Sequence, residues 1–284
     1  MNTAMDIRRL AINQITTPAW SLEQAIEGYA RHGIHGVGVW RDKLAACGLI
    51  RARSALRAAG SWVPSLCKAG NIAQFATAGT RPALDDCRRA IEEAAEIGAG
   101  CVVFVCGGIG TDSKDIEAAR AKVAEVLHEA SAFAVKHGVS LGIEPFHPMH
   151  AAERGCINTL SQAHALCASI GPAASVVVDV FHVWWDPELY RFLAPPYTDA
   201  IATVQLCDWR VPTRHSVEDR AMMGEGAANV HGIAAALEDS GYTGPYEVEI
   251  FSQDWWSMPP DDVVRICAER YLSLGTSIID PSNT

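Results

Sequence analysis

The chain alternates short apolar runs with longer amphipathic stretches. The apolar runs are rich in Val and Ile and mostly do not alternate with polar residues, which is typical of strands covered on both faces. The pattern therefore predicts eight buried parallel strands. They span residues 10–14, 36–40, 62–67, 101–106, 140–144, 175–180, 202–206 and 246–251.

The amphipathic stretches between these runs predict helices. The first begins with Ser21 and Gln24, spaced as in a capping box, and ends at Gly33. A helix that stops at glycine and leads into a strand is typical of a repeating βα unit. Eight such units predict one α/β domain over residues 1–284, a (β/α)₈ TIM barrel with a loose tail at 278–284. Four later helices are also expected to end at glycines, namely Gly98, Gly138, Gly171 and Gly241.

The alternative fold is an open, doubly wound sheet with extra strands. Such a sheet would need a glycine fingerprint after the first strand, and the sequence ITTPAWS at 15–21 is not one. The Gly-rich VCGGIGTD at 105–112 lacks both the GxGxxG spacing and the lysine of a P-loop. We interpret it as a loop that faces the substrate.

The net charge and the cysteines indicate which classes of binding partner and which cellular compartment to expect. The 33 acidic residues exceed the 23 Lys and Arg residues, so the net charge is −10 and nucleic acid and membranes are not expected partners. Nine cysteines without a CxxC indicate reduced thiols and a cytoplasmic location. Neither a signal peptide nor a spanning run of about 18 apolar residues is expected. The expected partner is a small-molecule substrate, and a homo-oligomer is compatible with the sequence.

Oxygen-bearing side chains mark the last four predicted strands. Glu144, Asp179, Gln205 and Glu249 each lie in otherwise apolar sequence, near the strand ends where barrel enzymes place their sites. Buried carboxylates that converge repel one another, and a divalent cation relieves that repulsion. Oxygen ligands favour Mn²⁺, with Mg²⁺, Co²⁺ and Zn²⁺ as alternatives. The competing interpretation is that each acid pairs with an Arg or Lys inside the barrel.

One further acid shares the last predicted strand. Glu247 and Glu249 fall on the same face because side chains alternate along a strand. Glu249 lies nearer the carboxyl end, so we assign it to the metal. Glu247 is expected one layer deeper, as a buried and paired support.

Five motifs together resemble a known family. They are IEPFHP at 143–148, VVVDVFHVWWDP at 176–187, VQLCD at 204–208, DRAMMGEG at 219–226 and YEVEIF at 246–251. In this order, and over nearly the whole chain, they resemble the sugar phosphate isomerase/epimerase superfamily of xylose-isomerase-like TIM barrels. The resemblance implies one divalent metal held by Glu144, Asp179, Gln205 and Glu249. It also implies proton abstraction next to a carbonyl through a metal-stabilised enediolate, with Glu144 and Glu249 exchanging the roles of base and acid.

The resemblance also suggests residues that contact the substrate. His182, three residues after Asp179, would polarise a substrate oxygen or shuttle a proton, and His147 has a similar but weaker case. The alternative for either histidine is to orient a metal ligand. Arg220 would hold a substrate oxygen or fix Glu249.

Aromatic and acidic residues complete the predicted substrate site. Trp40 and Trp184 follow predicted strands, and such rings suit the apolar faces of sugars, although core packing is an alternative for each. Asp208 is expected beside the substrate, where it would anchor the loop after strand seven.

The implied reaction is isomerisation or epimerisation of a keto-sugar or related polyhydroxy carbonyl compound. A metal-dependent lyase, acting on a 3-keto sugar, an inosose or a dehydroshikimate-like substrate, is the alternative. Gln205 supports it, since the related epimerases have His at this place and the 3-dehydroshikimate dehydratases resemble this chain there. An apurinic-site endonuclease would need a His-rich zinc site and a basic face. A non-catalytic binding barrel would hold no metal.

Overall fold

A computed structural model of the chain describes residues 4–75, 79–110 and 114–275. Its strands, in chain order, are β1 (Leu10–Asn13), β2 (Gly36–Trp40), β3 (Val63–Gly70), β4 (Ala99–Val105), β5 (Ser140–Ile143), β6 (Ala174–Asp179), β7 (Ile201–Leu206), β8 (Asp208–Trp209), β9 (Arg220–Ala221) and β10 (Tyr246–Val248). All except β8 and β9 pair in parallel and close into a barrel with the order β1-β10-β7-β6-β5-β4-β3-β2. The predicted eight-stranded TIM barrel is confirmed.

Helices surround the barrel. In the described residues they are α1 (Leu22–Arg31), α2 (Arg41–Cys47), α3 (Leu49–Ala58), α4 (Ile72–Phe75), α5 (Thr80–Ile97), α6 (Ile116–His137), α7 (Leu160–Ile170), α8 (Val180–Val183), α9 (Leu189–Phe192), α10 (Val230–Asp239), α11 (Gln253–Trp256) and α12 (Pro260–Ser273). Among them, none has the length and apolar character needed to cross a bilayer.

The predicted helix ends carry the expected caps. Ser21 and Gln24 form a reciprocal capping box at α1. Gly98 and Gly138 adopt the left-handed conformation directly after α5 and α6, where a side chain would be strained. The predicted loose tail at 278–284 lies outside the described residues.

Small side chains fill the inside of the barrel. Along β4, Val102 and Phe104 belong to the large core between the strands and the helices, whereas Cys101 and Val103 belong to a second, small cluster. Cys67 of β3 and Val177 of β6 complete that cluster. All nine cysteines are free, as expected, and all but Cys47 are buried.

A buried acid lies beside this inner cluster. Glu247 accepts hydrogen bonds from Asn13 Nδ2 at 2.7 Å, from Ser65 Oγ at 2.9 Å and from Thr203 Oγ1 at 3.5 Å. Burial raises the pKa of Glu247 to about 7, against the lowering effect of these donors. The structure thus places Glu247 as the paired support that the sequence indicates.

Gly38 of β2 leaves the space that Glu247 needs, which yields a stability prediction. A Cβ atom at position 38 would lie 1.8 Å from Glu247 Oε1 and 3.0 Å from Asn13 Cα. We expect Gly38→Ala to lower the free energy of unfolding by about 3 kcal/mol, since the displaced carboxylate is fully buried and would lose its hydrogen bonds. Urea denaturation would measure this. Gly100→Ala, where the nearest atom would be 3.1 Å away, is the control and should cost much less. Equal effects of the two changes would contradict the account.

Candidate active site

A cavity opens at the carboxyl ends of the barrel strands. Its volume is about 190 Å³, below the roughly 300–1,000 Å³ typical of pockets for drug-sized ligands, so it suits a small metabolite. Its lining combines carboxylates, cations and aromatic rings. The lining residues are Trp40, Cys67, Lys68, Val103, Val105, Glu144, Phe146, Arg154, His182, Arg220, Glu249 and Phe251.

A short antiparallel pair of strands, β8 and β9, places an arginine over the barrel. Arg220 of β9 pairs with Trp209 of β8, and its backbone N–H donates to Phe251 O at 2.8 Å. The guanidinium carbon lies 4.6 Å from the ring centre of Phe181 and 4.8 Å from that of Phe251. The Arg220 side chain therefore lies between two aromatic rings. Its backbone is fixed by pairing with β8 on one side and by the hydrogen bond to Phe251 on the other.

Arg220 forms ion pairs with two of the predicted metal ligands. Its Nη1 atom lies 2.9 Å from Asp179 Oδ2 and 3.0 Å from Glu249 Oε2. Burial alone would lower the pKa of Arg220, but the neighbouring carboxylates, Asp179 first among them, outweigh burial and raise it. The alternative interpretation, in which the acids pair with an arginine inside the barrel, therefore holds for Asp179 and Glu249. Glu144 and Gln205 take no part in these two ion pairs.

Two buried oxygen atoms of the predicted ligands have no hydrogen-bond donor among the described residues. Gln205 Nε2 donates to Glu249 Oε1 at 3.3 Å, but Gln205 Oε1 accepts no hydrogen bond. Asp179 Oδ2 lies 2.9 Å from Arg220 Nη1, but the angle between the two groups does not allow a hydrogen bond. A buried acceptor without a partner costs about 1–3 kcal/mol, and a hard cation is the partner that carboxylate and amide oxygens suit. This donor set fits a divalent metal.

A compact group at the same place includes a histidine. One ligand atom each from Glu144, Asp179 and His182 lie within 4.8 Å of one another, and all three residues are buried. His182 Nε2 lies 3.8 Å from both Glu144 Oε1 and Asp179 Oδ2. His182, expected at the substrate, therefore also lies against two predicted ligands.

The hydrogen bond on the other ring nitrogen indicates the role of His182. The backbone N–H of His147 donates to His182 Nδ1 at 3.2 Å, so a neutral ring carries its proton on Nε2. Burial, and next the charge of Arg220, hold the pKa of His182 well below its usual value, which keeps the ring neutral. With a proton on Nε2, His182 is a hydrogen-bond donor towards the site and not a metal ligand.

The two glutamates that line the cavity have raised pKa values. Burial, followed by the charges of Asp179 and Glu249, raises the pKa of Glu144 well above its usual range. Burial also raises the pKa of Glu249 to about 8; Arg220 opposes this rise and Asp179 adds to it. Mutual repulsion of this kind is what a bound cation would relieve.

Three residues that we expected at the substrate do not line the cavity. The His147 ring stacks on Trp209 with ring centres 5.0 Å apart, so its contribution is the backbone bond to His182. The half-buried Trp184 ring lies 5.6 Å from that of the same tryptophan and packs against the core. Asp208 accepts backbone N–H bonds from the following loop, among them that of Ala228 at 2.9 Å. It anchors that loop, as expected, and does not line the substrate cavity.

The Gly-rich segment at 105–112 faces the cavity at Val105, its first residue, and its described residues after Cys106 have a backbone role. Gly107 N donates to Arg154 O at 3.1 Å, and Ile109 N donates to Ala152 O at 3.0 Å. A Cβ atom at Gly108 would lie 2.1 Å from Ala152 O, so glycine is needed there for close backbone contact. The described part of the loop, 107–110, holds the segment that carries Arg154 and does not line the cavity. Residues 111–112 lie outside the described chain.

Several residues that line the cavity were not among the predicted site residues. Those with polar or aromatic side chains or a thiol include Cys67, Lys68, Phe146 and Arg154. Phe146 stacks on the His182 ring, 4.0 Å from centre to centre. Lys68 follows the third predicted strand, and a search for polar residues after every strand would have found it. Arg154 lies in the longer connection after β5, where the sequence offers no comparable signal.

Solved structures with the same fold include one close relative. Protein SMc04130 from Sinorhizobium meliloti 1021 is 43% identical, with a TM-score of 0.90 over 94% of this chain and 98% of that chain. The IOLI protein with a bound zinc atom is 19% identical, with a TM-score of 0.81 over 95% and 100% of the two chains. At 19% identity the likeness shows the fold alone.

Sequence comparisons point the same way. Inosose isomerase from Halalkalibacterium halodurans is 26% identical over 144 residues, which are 49% of this chain and 49% of that protein. The match thus spans about half the length of this curated relative. Over residues 26–270, the sequence matches the xylose isomerase-like TIM barrel family. With the closed barrel described above, this match shows that the chain belongs to the xylose isomerase-like TIM barrel family.

Proposed function

We propose that this protein is a divalent-metal-dependent isomerase or epimerase of a small keto-sugar or related polyhydroxy carbonyl compound. The observation that carries the proposal is Gln205 Oε1, which accepts no hydrogen bond from any described residue and lies beside three buried carboxylates at the barrel mouth. The partial match to an inosose isomerase supports the choice of reaction and of substrate class. The zinc in the IOLI structure supports a metal on this fold.

The residues that would hold the metal are Glu144, Asp179, Gln205 and Glu249, which are at most 5% exposed. When bound, a divalent cation supplies positive charge against the negative charge that develops on substrate oxygens during proton removal. Three carboxylates and an amide oxygen favour a hard ion such as Mn²⁺.

Glu144 and Glu249 are the proposed base and acid. Both line the cavity beside the atoms proposed to hold the metal, so a substrate bound there would lie within reach of either carboxylate. One glutamate removes the proton next to the carbonyl, and the other returns a proton. Return to the opposite face of the same carbon gives epimerisation, whereas return to the neighbouring carbon gives isomerisation.

His182 and two aromatic rings would orient the substrate. His182 donates a hydrogen bond through Nε2 to a substrate oxygen and so favours negative charge there. Trp40 and Phe251, with ring centres 5.7 Å apart, form an apolar wall of the cavity. Such a wall suits the C–H face of a sugar or cyclitol and keeps water from the reacting carbon.

Proton exchange in D₂O tests the proposal. With Mn²⁺ and a panel of ketoses and inososes that includes carboxylated and phosphorylated members, we expect deuterium at the carbon next to the carbonyl, with no new ultraviolet absorbance. Chelation with EDTA should abolish the exchange, and adding Mn²⁺ should restore it. New enone absorbance would indicate the alternative lyase, which Gln205 also supports. A protein that binds no divalent metal and catalyses no exchange would contradict the proposal.

A further inference from the structure

Two cations in the cavity form no ion pair with any acid in the part of the chain that the structure describes. Lys68 and Arg154 line the same space as Glu144 and Glu249, and both side chains are partly buried. Within the described residues, neither side chain lies at ion-pair distance from a carboxylate, whereas Arg220 in the same cavity pairs with two. Lys and Arg are rarely buried without a partner, so the two charges call for an explanation.

A bulge in β3 turns Lys68 towards the cavity. Leu66 pairs with Val102 and Ala69 pairs with Phe104, so three steps along β3 match two steps along β4. In a regular strand, neighbouring side chains point to opposite faces. Here the adjacent residues Cys67 and Lys68 both line the cavity. Bulges near active sites commonly redirect a side chain in this way.

Arg154 is held by its backbone and by an aromatic ring. Its N–H donates to His150 O at 2.9 Å, and its carbonyl oxygen accepts from Gly107 N at 3.1 Å. The guanidinium carbon lies 5.5 Å from the ring centre of Phe146. The cation therefore projects from an anchored segment and not from a free loop.

These cations are costly where they stand. Burial, and next the charge of Arg154, lower the pKa of Lys68, while burial and then Arg220 lower that of Arg154. The barrel mouth holds three negative charges, on Glu144, Asp179 and Glu249, when all three are ionised. It holds an equal number of positive charges, on Lys68, Arg154 and Arg220. A divalent cation at the proposed site would then leave an excess of two positive charges in a small cavity. An anionic ligand is the neutralising partner for that excess.

We propose that Lys68 and Arg154 together bind an anionic group of the substrate, either a carboxylate or a phosphate. This inference rests on the proposed function, because it takes the cavity as the substrate site. The guanidinium fork of Arg154 suits both planar carboxylates and phosphates, and the Lys68 ammonium adds a point charge. The substrate would thus be an acidic or phosphorylated polyhydroxy ketone and not a neutral sugar.

Three matched probes test the charge preference. D-fructose, D-fructuronate and D-fructose 6-phosphate differ only at the last carbon, which bears a hydroxyl, a carboxylate or a phosphate group. Isothermal titration calorimetry on the Mn²⁺-loaded full chain would measure Kd for each. We expect at least one anionic probe to bind ten-fold or more tightly than fructose, and which one does so identifies the group.

A double variant then assigns the preference to the two cations. Lys68→Met with Arg154→Gln should reduce the preference for the anionic probe to less than about two-fold. Lys122→Met with Arg57→Gln, at two exposed positions, removes the same charge and should keep it. Equal or absent binding of all three probes to the original protein, or a preference that survives in the Lys68 and Arg154 variant, would overturn the inference. Loss of deuterium exchange with the preference intact would overturn the proposed reaction alone.

Discussion

Glu144→Gln and Glu249→Gln should each lower the rate of deuterium exchange into a ketose substrate about 10³-fold, the range expected for removing a general acid or base. Both side chains line the cavity, so each lies where it can take a proton from a bound substrate or return one to it. Glutamine keeps the shape and one possible metal-ligand oxygen but cannot take up the proton. Exchange measured at saturating Mn²⁺ would show the loss.

Glu247→Gln provides the matched control. Glu247 is a buried glutamate two residues before Glu249, but it is bonded to Asn13, Ser65 and Thr203 and does not line the cavity. We expect this variant to retain exchange within about ten-fold of the original rate, since it leaves the reacting groups in place. Circular dichroism should show a folded barrel in all three variants. If Glu247→Gln lost as much activity as the other two, or if Glu249→Gln stayed active, the assignment of base and acid would be wrong.

The barrel could be predicted from the sequence because each strand is a continuous apolar run and several helices stop at a glycine. Strand ends were less accurate. β10 ends at Val248, so Glu249 follows the strand, and β3 continues to Gly70 through the bulge at Cys67 and Lys68. The carboxylates could still be identified, because an acid next to Val and Ile signals a buried charge wherever the strand ends.

The remaining features of the site depend on contacts between distant segments. The bulge that turns Lys68 inward arises from pairing with β4, and no local pattern marks it. The proton position on His182 depends on a backbone N–H from the neighbouring connection, that of His147. The aromatic residues were harder still, because the sequence left Trp184 either at the substrate or in core packing, and only its contact with Trp209 distinguishes the two.

Arg220→Met should destabilise the metal-free protein by roughly 3–5 kcal/mol, the cost typical of removing one partner from a buried ion pair. The variant leaves Asp179 and Glu249 buried without the guanidinium that now lies within 3.0 Å of both. For a chain of this size, each 1 kcal/mol lowers Tm by about 2–4 °C, so we expect a fall of about 10 °C. Arg214→Met is the control, because that arginine also contacts two acids, Asp219 and Asp254, but its own side chain is 54% exposed. Its loss should change Tm little, since the buried Asp219 keeps Arg210 as a partner at 2.9 Å.

Added Mn²⁺ should then separate the two explanations of the buried carboxylates. If they form a metal site, the cation replaces the missing positive charge, and Mn²⁺ should raise the Tm of Arg220→Met by more than it raises that of the original protein. The variant should also bind Mn²⁺ more tightly, because Arg220 no longer competes for Asp179 Oδ2 and Glu249 Oε2. If the acids serve only to pair with the arginine, Mn²⁺ should shift neither protein. Thermal unfolding with and without Mn²⁺, in both proteins and in Arg214→Met, therefore tests the metal site without any substrate.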